Sequence, residues 1–328
     1  MSDRADKVKE VIKKLNEDFG KGTVVTNEII PGIKKFSSGC VSVDIALGGG
    51  WGRGRIVEVF GPESSGKSTL ALEAVASIQR AGGLALFVDA EHALDPEYSR
   101  NLGVNTDELI FSQPGCGETA IEVVDSFATS GLVDLIVVDS VAALVPKAEI
   151  EGQMEDSAMG AHARLMSKAM RVLTGPASKS GTTIMFINQL RNKIVLFGDP
   201  RTTTGGNALK FYASQRVELK NKGLLKDKHG NIIGRETLVK VVKNRIAPPF
   251  KETSVVIRHG TGTDSELDIL RLAVEREVVA KAGSWYSLGE KRLGQGEDKV
   301  CDLLRIDAKL RKDIVDRLKG LLDAKLQV

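Results

Sequence analysis

The chain has 328 residues, of which 42% are hydrophobic and 27% charged, and its formal net charge is +3. This composition predicts a globular protein with one large domain and one or two small appendages, and the charge is too small to imply a polyanionic partner by itself. The polar residues 1–7 exclude a secretory signal, and the lack of an apolar run of about 18 residues excludes a membrane span. We therefore expect a cytoplasmic protein.

Residues 6–19 carry apolar side chains at helical spacing, which predicts an amphipathic helix that ends near Gly20. The apolar positions are Val8, Val11, Ile12, Leu15 and Phe19. Because the helix precedes the core and its apolar stripe is narrow, two placements fit it. It can pack on its own domain or dock on a neighbouring subunit.

Between about residue 34 and residue 265, apolar runs rich in β-branched residues alternate with helical patterns. Strands that are apolar throughout are typical of a parallel sheet covered by helices on both faces. The predicted strands are 56–60, 84–88, 135–138, 183–187, 215–220, 237–243 and 253–257, with a hairpin turn at 226–231. The predicted helices are 68–80, 118–130 and 161–174. The pattern predicts an α/β core, a mostly parallel twisted sheet between helices, with an added β-rich edge.

The last part of the chain has a different pattern. Helical stretches around 266–281 and 307–326 flank a glycine-containing segment, 282–296. This pattern predicts a small α+β domain. We therefore divide the chain into an N-terminal helix and linker (1–33), a core (34–265) and a C-terminal domain (266–328).

The octapeptide 61–68, GPESSGKS, matches the G-x-x-x-x-G-K-[ST] phosphate-binding loop and lies between a predicted strand and a predicted helix. In that setting, backbone N–H groups and the helix N-terminus face a polyphosphate. Lys67 can reach the β- and γ-phosphates, and the Ser68 hydroxyl can bind Mg²⁺. The alternative, a chance glycine and serine turn, is disfavoured by the flanking elements. The residues assigned to the nucleotide here are Gly61, Pro62, Glu63, Ser64, Ser65, Gly66, Lys67, Ser68 and Thr69.

Two further apolar strands end in carboxylates. The segment 135–140, LIVVDS, predicts a buried strand that brings Asp139 beside the phosphate loop to bind Mg²⁺, in part through water. The segment 87–92, FVDAEH, ends in carboxylates that could accept a proton from attacking water. We select Glu91 as the general base, with Asp89 as the alternative. His92 has no companion histidine at metal-binding spacing, so we interpret it as structural.

Gln189 ends another apolar strand, where a neutral amide can bind a γ-phosphate; a strand-end cap is the alternative. Residues 190–206 follow as a predicted loop of about 17 residues, a length that is usually functional or disordered. The loop mixes Arg191, Lys193 and Arg201 with apolar residues, which suits a single-stranded nucleic acid. A second loop, 149–160, is acidic, so electrostatics alone argues against DNA contact there.

Taken together, these motifs resemble those of the bacterial RecA recombinases. The matching segments are 61–68, 89–96, 137–143, 202–212, 241–244 and 282–286, so the resemblance covers nearly the whole chain. It implies a RecA-type P-loop NTPase core and an ATP- and Mg²⁺-dependent recombinase. Such a protein forms a helical filament on single-stranded DNA, pairs it with a homologous duplex and hydrolyses ATP in a DNA-dependent way. It also implies co-protease activation of an SOS-type repressor.

Two other functions remain as alternatives at this stage. The first is a hexameric RecA-fold motor such as a helicase, against which the C-terminal domain with Trp285 and Tyr286 argues. The second is a non-catalytic, ATP-gated DNA-binding accessory protein. The presence of Lys67, Glu91, Asp139 and Gln189 together argues against that function.

The resemblance also implies roles for individual residues. Glu91 would be the hydrolytic base and Gln189 the γ-phosphate sensor. Asp95 and Tyr98 would bind the nucleotide, with Tyr98 stacking on adenine. Lys243 and Arg245 would act across the subunit interface on the γ-phosphate, as an arginine finger does. Segments 151–160 and 190–206 would be DNA-binding loops, which overrides the electrostatic objection to the first. The implied DNA-binding residues are Met159, Arg164, Arg191, Lys193, Phe197, Arg201, Thr203, Gly205, Gly206 and Asn207.

At the level of whole elements, the resemblance implies that the N-terminal helix docks on the adjacent protomer and that the C-terminal domain binds duplex DNA. Three departures from the family pattern stand out. Arg245 replaces a lysine, the second loop is one residue shorter than expected, and His259 stands where a tyrosine is expected near adenine. The chain also ends at Val328 without the acidic tail of many relatives, so we expect weaker autoinhibition of duplex uptake.

Overall fold

The computed structural model describes residues 2–20, 23–24, 32–152, 160–192 and 201–326. The chain divides into two compact units, Met1–Lys34 and Lys35–Val328. The first unit contains helix α1 (Ser2–Phe19), which confirms the predicted amphipathic helix. The Asn16 side chain fixes the chain after this helix, because its amide group both donates to and accepts from the backbone of Val24 at 2.9 Å.

The second unit holds the other helices and all the described strands. Its helices are α2 (Val41–Leu47), α3 (Lys67–Arg80), α4 (Pro96–Asn101), α5 (Gly117–Ser130), α6 (Lys147–Glu151), α7 (Ala161–Ser180), α8 (Ala208–Tyr212), α9 (Ser265–Glu275), α10 (Glu297–Ile306) and α11 (Ala308–Leu326), with a 3₁₀ turn at Val141–Ala143. Its strands are β1 (Lys35–Phe36), β2 (Trp51–Gly52), β3 (Ile56–Gly61), β4 (Ala85–Asp89), β5 (Ile110–Ser112), β6 (Leu135–Asp139), β7 (Thr183–Asn192), β8 (Arg201–Thr203), β9 (Gln215–Lys226), β10 (Ile232–Asn244), β11 (Glu252–Arg258), β12 (Gly262–Thr263), β13 (Ala280–Ala282), β14 (Trp285–Leu288) and β15 (Lys291–Gln295).

Ten of the described strands form one sheet in the order β12-β11-β10-β9-β3-β7-β6-β4-β5, with β8 paired to β7. The strands from β9 to β5 are parallel, and those from β9 to β12 are antiparallel. The predicted α/β core with a β-rich edge is confirmed. In parallel sheets, ligands bind beyond the carboxyl ends of the strands, and here β3, β4, β6 and β7 end together.

Two hydrophobic clusters cover the sheet. One contains residues of α2 and α3, and the other contains residues of α5 and α7. The central strand residues are almost fully buried because both faces are covered, which explains their apolar sequences. Helix α7 continues to Ser180 through Pro176, beyond the predicted end at residue 174. Its burial against the sheet at Leu173 and Ala177 outweighs the local breaking signal.

The C-terminal region differs from the prediction in detail. The expected helix at 266–281 ends at Glu275, and Glu277 has a positive φ of 60°, which a helix does not tolerate. Residues of the glycine-containing segment form a three-stranded antiparallel sheet, β13-β14-β15. Helix α10 was not predicted, and Asp307 separates it from α11, accepting a hydrogen bond from the Leu310 amide at 2.9 Å.

The predicted open loop at 190–206 is partly wrong. Strand β7 runs on to Asn192 and pairs with β8 in an antiparallel ladder, in which Leu190 faces Thr203. Residues 193–200 of this segment lie outside the described residues. The hairpin turn at 226–231 is confirmed: the Asp227 carboxylate accepts from the His229 and Asn231 amides at 2.8 and 2.9 Å.

Candidate nucleotide and DNA site

The phosphate loop begins at the end of β3 and continues into α3. Gly61 and Gly66 cannot be replaced without a clash, because an added Cβ would meet the Leu219 carbonyl at the first and the Ile257 side chain at the second. Gly66 also has φ +92°, in the region that favours glycine. Close contact with β9 and β11 therefore fixes the shape of the loop. In a loop of this shape, the backbone N–H groups can bind an anionic ligand.

Lys67 lies at the start of α3, and its ammonium group is held within the loop. The Nζ atom donates to the Pro62 carbonyl at 2.8 Å. Burial lowers the pKa of Lys67, whereas the nearby carboxylates of Asp139 and Glu91 act to raise it. A phosphate oxygen placed on the loop would offer this cation a charged partner in place of a carbonyl.

Ser68 and Asp139 meet at the carboxyl ends of the sheet, where the Ser68 hydroxyl donates to the Asp139 carboxylate at 2.7 Å. Burial, together with the nearby Glu91 and Asp89 charges, raises the pKa of Asp139 to about 6, although the bond from Ser68 acts to lower it. A bound cation would favour the ionised carboxylate. A hydroxyl and a single carboxylate fit Mg²⁺, which binds through one or two carboxylates together with phosphates and water.

The register of the sheet places Gln189 and Glu91 close together. Gln189 pairs with Gly61 across β7 and β3, so its strand ends beside the phosphate loop. The Gln189 amide Nε2 donates to Glu91 Oε1 at 2.9 Å, and the Ser140 hydroxyl donates to the same oxygen. Sequence reasoning missed Ser140, although it directly follows Asp139 in the motif. Glu91 is thus held by two neutral donors at an exposed position.

The carboxylate of the alternative base, Asp89, is buried and occupied by hydrogen bonds within the fold. It is only 2% exposed, and its carboxylate accepts from the amides of Ala93 at 3.2 Å and Leu94 at 3.1 Å. It also accepts from the side chain of Gln113 at 3.2 Å. The geometry therefore favours Glu91 over Asp89 as the carboxylate available to water.

A cavity of about 430 Å³ opens beside the phosphate loop. Its other walls come from Tyr98, Arg235, Arg258 and His259. The Tyr98 hydroxyl shares a hydrogen bond with Thr69 at 2.8 Å, which fixes the ring at the cavity. Asp95 does not line this cavity; its carboxylate accepts from the Glu97 amide at 2.8 Å and caps α4.

Lys243 lies near the end of β10, Arg245 directly follows that strand, and both donate to the backbone of α8. Lys243 Nζ donates to the carbonyls of Lys210 and Phe211 at 2.8 Å, and Arg245 donates to Phe211 at 3.1 Å. Burial, together with the neighbouring Arg245 and Arg216 guanidinium groups, lowers the pKa of Lys243 to about 8. Among the described residues, the side-chain hydrogen bonds of Lys243 and Arg245 go to α8 and not to the phosphate loop.

The DNA-binding residues expected from the sequence divide into described and undescribed ones. Met159, Lys193 and Phe197 lie outside the described residues. Arg164 lies in the first turn of α7, Arg191 is exposed at the end of β7, and Asn207 directly precedes α8. Gly205 and Gly206, both with positive φ, pack against α7 at Met166 and Ala163. Thr203 is buried, and Arg201 pairs with Glu218 at 3.7 Å.

Asn188, which was not predicted as a site residue, connects Glu58, Gln189 and Thr204 through its side-chain hydrogen bonds. Its side chain donates to the buried Glu58 carboxylate at 2.9 Å and to the Thr204 carbonyl at 3.0 Å. Its side-chain oxygen accepts from the backbone N–H of Gln189 at 2.9 Å. Glu58 in turn pairs with Arg216 at 2.5 Å. These contacts join residues far apart in sequence, so no spacing rule could have identified them.

Comparison with known proteins identifies one family over nearly the whole chain. The family model for the RecA N-terminal domain matches residues 6–264, and that for the RecA C-terminal domain matches residues 267–323. Protein RecA of Syntrophus aciditrophicus (strain SB) is 54% identical over 308 residues, covering 92% of this chain and 90% of that protein. Protein RecA of Citrifermentans bemidjiense is 53% identical over 323 residues, covering 96% and 95%. Among the described helices, none has the length and apolar character needed to cross a membrane.

Proposed function

The chain belongs to the RecA family, and we propose that its ATP-dependent recombinase activity depends on a composite nucleotide site shared by neighbouring subunits. The protein is a DNA-dependent ATPase that binds DNA, forms filaments and catalyses homologous pairing and strand exchange in recombinational repair. The observation that carries the proposal for the site is the meeting of Ser68 with Asp139 and of Gln189 with Glu91 at one edge of the sheet.

In the proposed mechanism, the loop amides and Lys67 bind the phosphates of ATP. Ser68 and Asp139 hold Mg²⁺, which when bound supplies charge neutralisation for the phosphate oxygens. Glu91 accepts the proton of the attacking water, and Ser140 orients its carboxylate. Gln189 exchanges its bond to Glu91 for one to the γ-phosphate, and this exchange leaves a carboxylate oxygen of Glu91 for water.

The same exchange connects ATP to DNA. Gln189 is followed directly by Leu190, where β7 begins to pair with β8. A displacement of Gln189 towards the γ-phosphate would therefore shift the base of the second DNA-binding loop. Because linkage is reciprocal, ATP would raise the affinity for DNA by the same factor by which DNA raises the affinity for ATP.

The second half of the site comes from the neighbouring subunit. We assign Lys243 and Arg245 to the γ-phosphate of that neighbour, and their bonds to the α8 carbonyls position them at the end of β10. We assign α1 to docking on the adjacent protomer. A head-to-tail contact that does not close produces a helical filament.

The remaining assignments concern whole regions. We assign residues 266–328 to duplex DNA, and segments 151–160 and 190–206 to DNA within the filament. Activation of an SOS-type repressor and action in the cytoplasm complete the proposal. We propose domain boundaries at 33/34 and 265/266.

Strand exchange between circular single-stranded DNA and linear duplex DNA tests the function as a whole. Joint molecules should form with ATP and with a slowly hydrolysed analogue, because binding of the triphosphate, not its cleavage, orders the filament. Lys67→Ala should form none with either nucleotide. The absence of joint molecules with the wild-type protein under both conditions would refute the assignment.

A further inference from the structure

Strand β10 contacts the phosphate loop at two consecutive carbonyl groups. The Arg235 guanidinium donates to the Ser64 carbonyl, and the Thr237 hydroxyl donates to the Ser65 carbonyl at 3.3 Å. Ile257, the cross-strand partner of Arg235, abuts Gly66, where an added Cβ would clash with it. Three side chains of the β10–β11 edge thus contact three consecutive residues of the loop.

These contacts determine where the loop amides point. In a trans peptide, the carbonyl oxygen and the following N–H lie on opposite sides of the chain. Holding the Ser64 and Ser65 carbonyls against β10 therefore turns the amides of Ser65 and Gly66 away from that strand. Ser64 also has φ +54°, a conformation that is unusual for a residue with a side chain and that persists only where neighbours impose it. Arg235 is one of those neighbours.

Arg235 also brings charge to the cavity beside the loop. Arg258, in the same wall, pairs with Asp264 at 2.6 Å. Among the described residues, by contrast, Arg235 has no carboxylate within salt-bridge distance. The charge of Arg235 also acts on Tyr98, which lines the same cavity. Burial raises the pKa of the Tyr98 hydroxyl, and the Arg235 guanidinium acts to lower it. The cavity thus presents a cation in addition to Lys67.

We propose that Arg235 is a positioning residue of the phosphate loop and a second cation for the nucleoside triphosphate. One N–H of its guanidinium holds the Ser64 carbonyl, and the remaining N–H groups offer their charge to the phosphates. Thr237 supports the same geometry without charge. This inference rests on the proposed function, since it takes residues 61–68 to be the ATP-binding loop.

Binding of ATP, ADP and inorganic tripolyphosphate to the DNA-free protein, measured by calorimetry at two salt concentrations, tests the proposal. Arg235→Gln should weaken ATP and tripolyphosphate binding by about tenfold and make both less dependent on salt. The affinity for ADP should fall by a smaller factor, because ADP carries less charge than ATP. Arg235→Lys should bind ATP with intermediate affinity. Thr237→Val should weaken binding while leaving the salt dependence as in the wild type.

Arg276→Gln is the matched control, since it removes the same charge from the end of α9, where Arg276 pairs with the adjacent Glu275. It should bind like the wild type. Unchanged affinity in Arg235→Gln, or a loss with the wild-type salt dependence, would overturn the inference. If Lys67→Ala abolishes binding while Arg235→Gln does not weaken it, only the role of Arg235 fails. If neither variant weakens binding, residues 61–68 are not the ATP-binding loop, and the role proposed for Arg235 is wrong as well.

Discussion

Replacing Glu73 with glutamine tests whether one buried carboxyl group makes the protein less stable as pH rises. Glu73 lies on α3, six residues after Lys67, and is 8% exposed. Its two oxygens accept from the Thr263 amide at 2.7 Å and from the Thr263 hydroxyl at 2.8 Å. Burial raises the pKa of Glu73 from 4.5 to about 7, although the bonds from Thr263 act to lower it.

The sign of the effect follows from proton binding. Between pH 4.5 and about 7, the folded state holds a proton that the unfolded state has released. The contribution of Glu73 to the free energy of unfolding therefore falls as pH rises through this interval, and this contribution is constant below and above it. A difference of about 2.5 pKa units, at about 1.36 kcal/mol each, corresponds to roughly 3 kcal/mol. Glu73→Gln keeps a neutral amide of nearly the same shape, whose oxygen can accept from the Thr263 amide.

Urea denaturation at constant salt, in the absence of DNA and nucleotide, measures the effect. At pH 5 the Glu73→Gln variant and the wild type should differ little. At pH 8 the variant should be more stable by up to about 3 kcal/mol. Glu122→Gln, on the exposed face of α5, should follow the wild-type profile at both values. If the difference between Glu73→Gln and the wild type is the same at pH 5 and pH 8, the argument is wrong.

Three further predictions concern the catalytic site. Glu91→Gln should bind ATP and DNA but hydrolyse ATP about 10²–10⁴-fold more slowly, and DNA-stimulated phosphate release at the normal rate would refute the base assignment. Ser140→Ala should lower kcat roughly tenfold and leave the KM for ATP unchanged, because the hydroxyl contacts Glu91 and does not line the nucleotide cavity. Equal mixtures of Lys243→Ala and Glu91→Gln, each inactive alone, should recover about one quarter of the wild-type ATPase activity, since one interface in four would hold both intact groups. Mixtures as inactive as the separate variants would show that Lys243 does not act across the interface.

Sequence reasoning was most successful where function depends on contiguous residues. The phosphate loop, Asp139 and Gln189 each follow an apolar strand, and their placement at one edge follows from the parallel sheet. Their spatial meeting was therefore predictable, although their hydrogen-bond partners were not. Ser140 was within reach of the same reasoning, because it belongs to the Asp139 motif.

The errors came from competition between local pattern and tertiary contact. Val278 and Val279 extended the helical pattern to residue 281, but β-branched residues also suit strands, and β13 begins at Ala280. Asn188 and Arg235 were missed for a different reason. Their partners, Glu58 and Ser64, lie 130 and 171 residues away in sequence. Only the strand order, with β3 next to β7 and separated from β10 by β9, brings them into contact.

Strand β7 explains how ATP and DNA can influence each other over a short path. Its ladder with β3 ends at Gln189, and from Leu190 onward it pairs with β8. Gln189, the proposed γ-phosphate sensor, is therefore the last β7 residue paired with β3 and directly precedes the first residue paired with β8. Asn188 adds a second connection, because its amide bonds the Thr204 carbonyl at the far end of the same hairpin. If this hairpin carries DNA, as we propose, the coupling needs no extended network, since a shift of one side chain at the end of a buried strand reaches both arms of the loop.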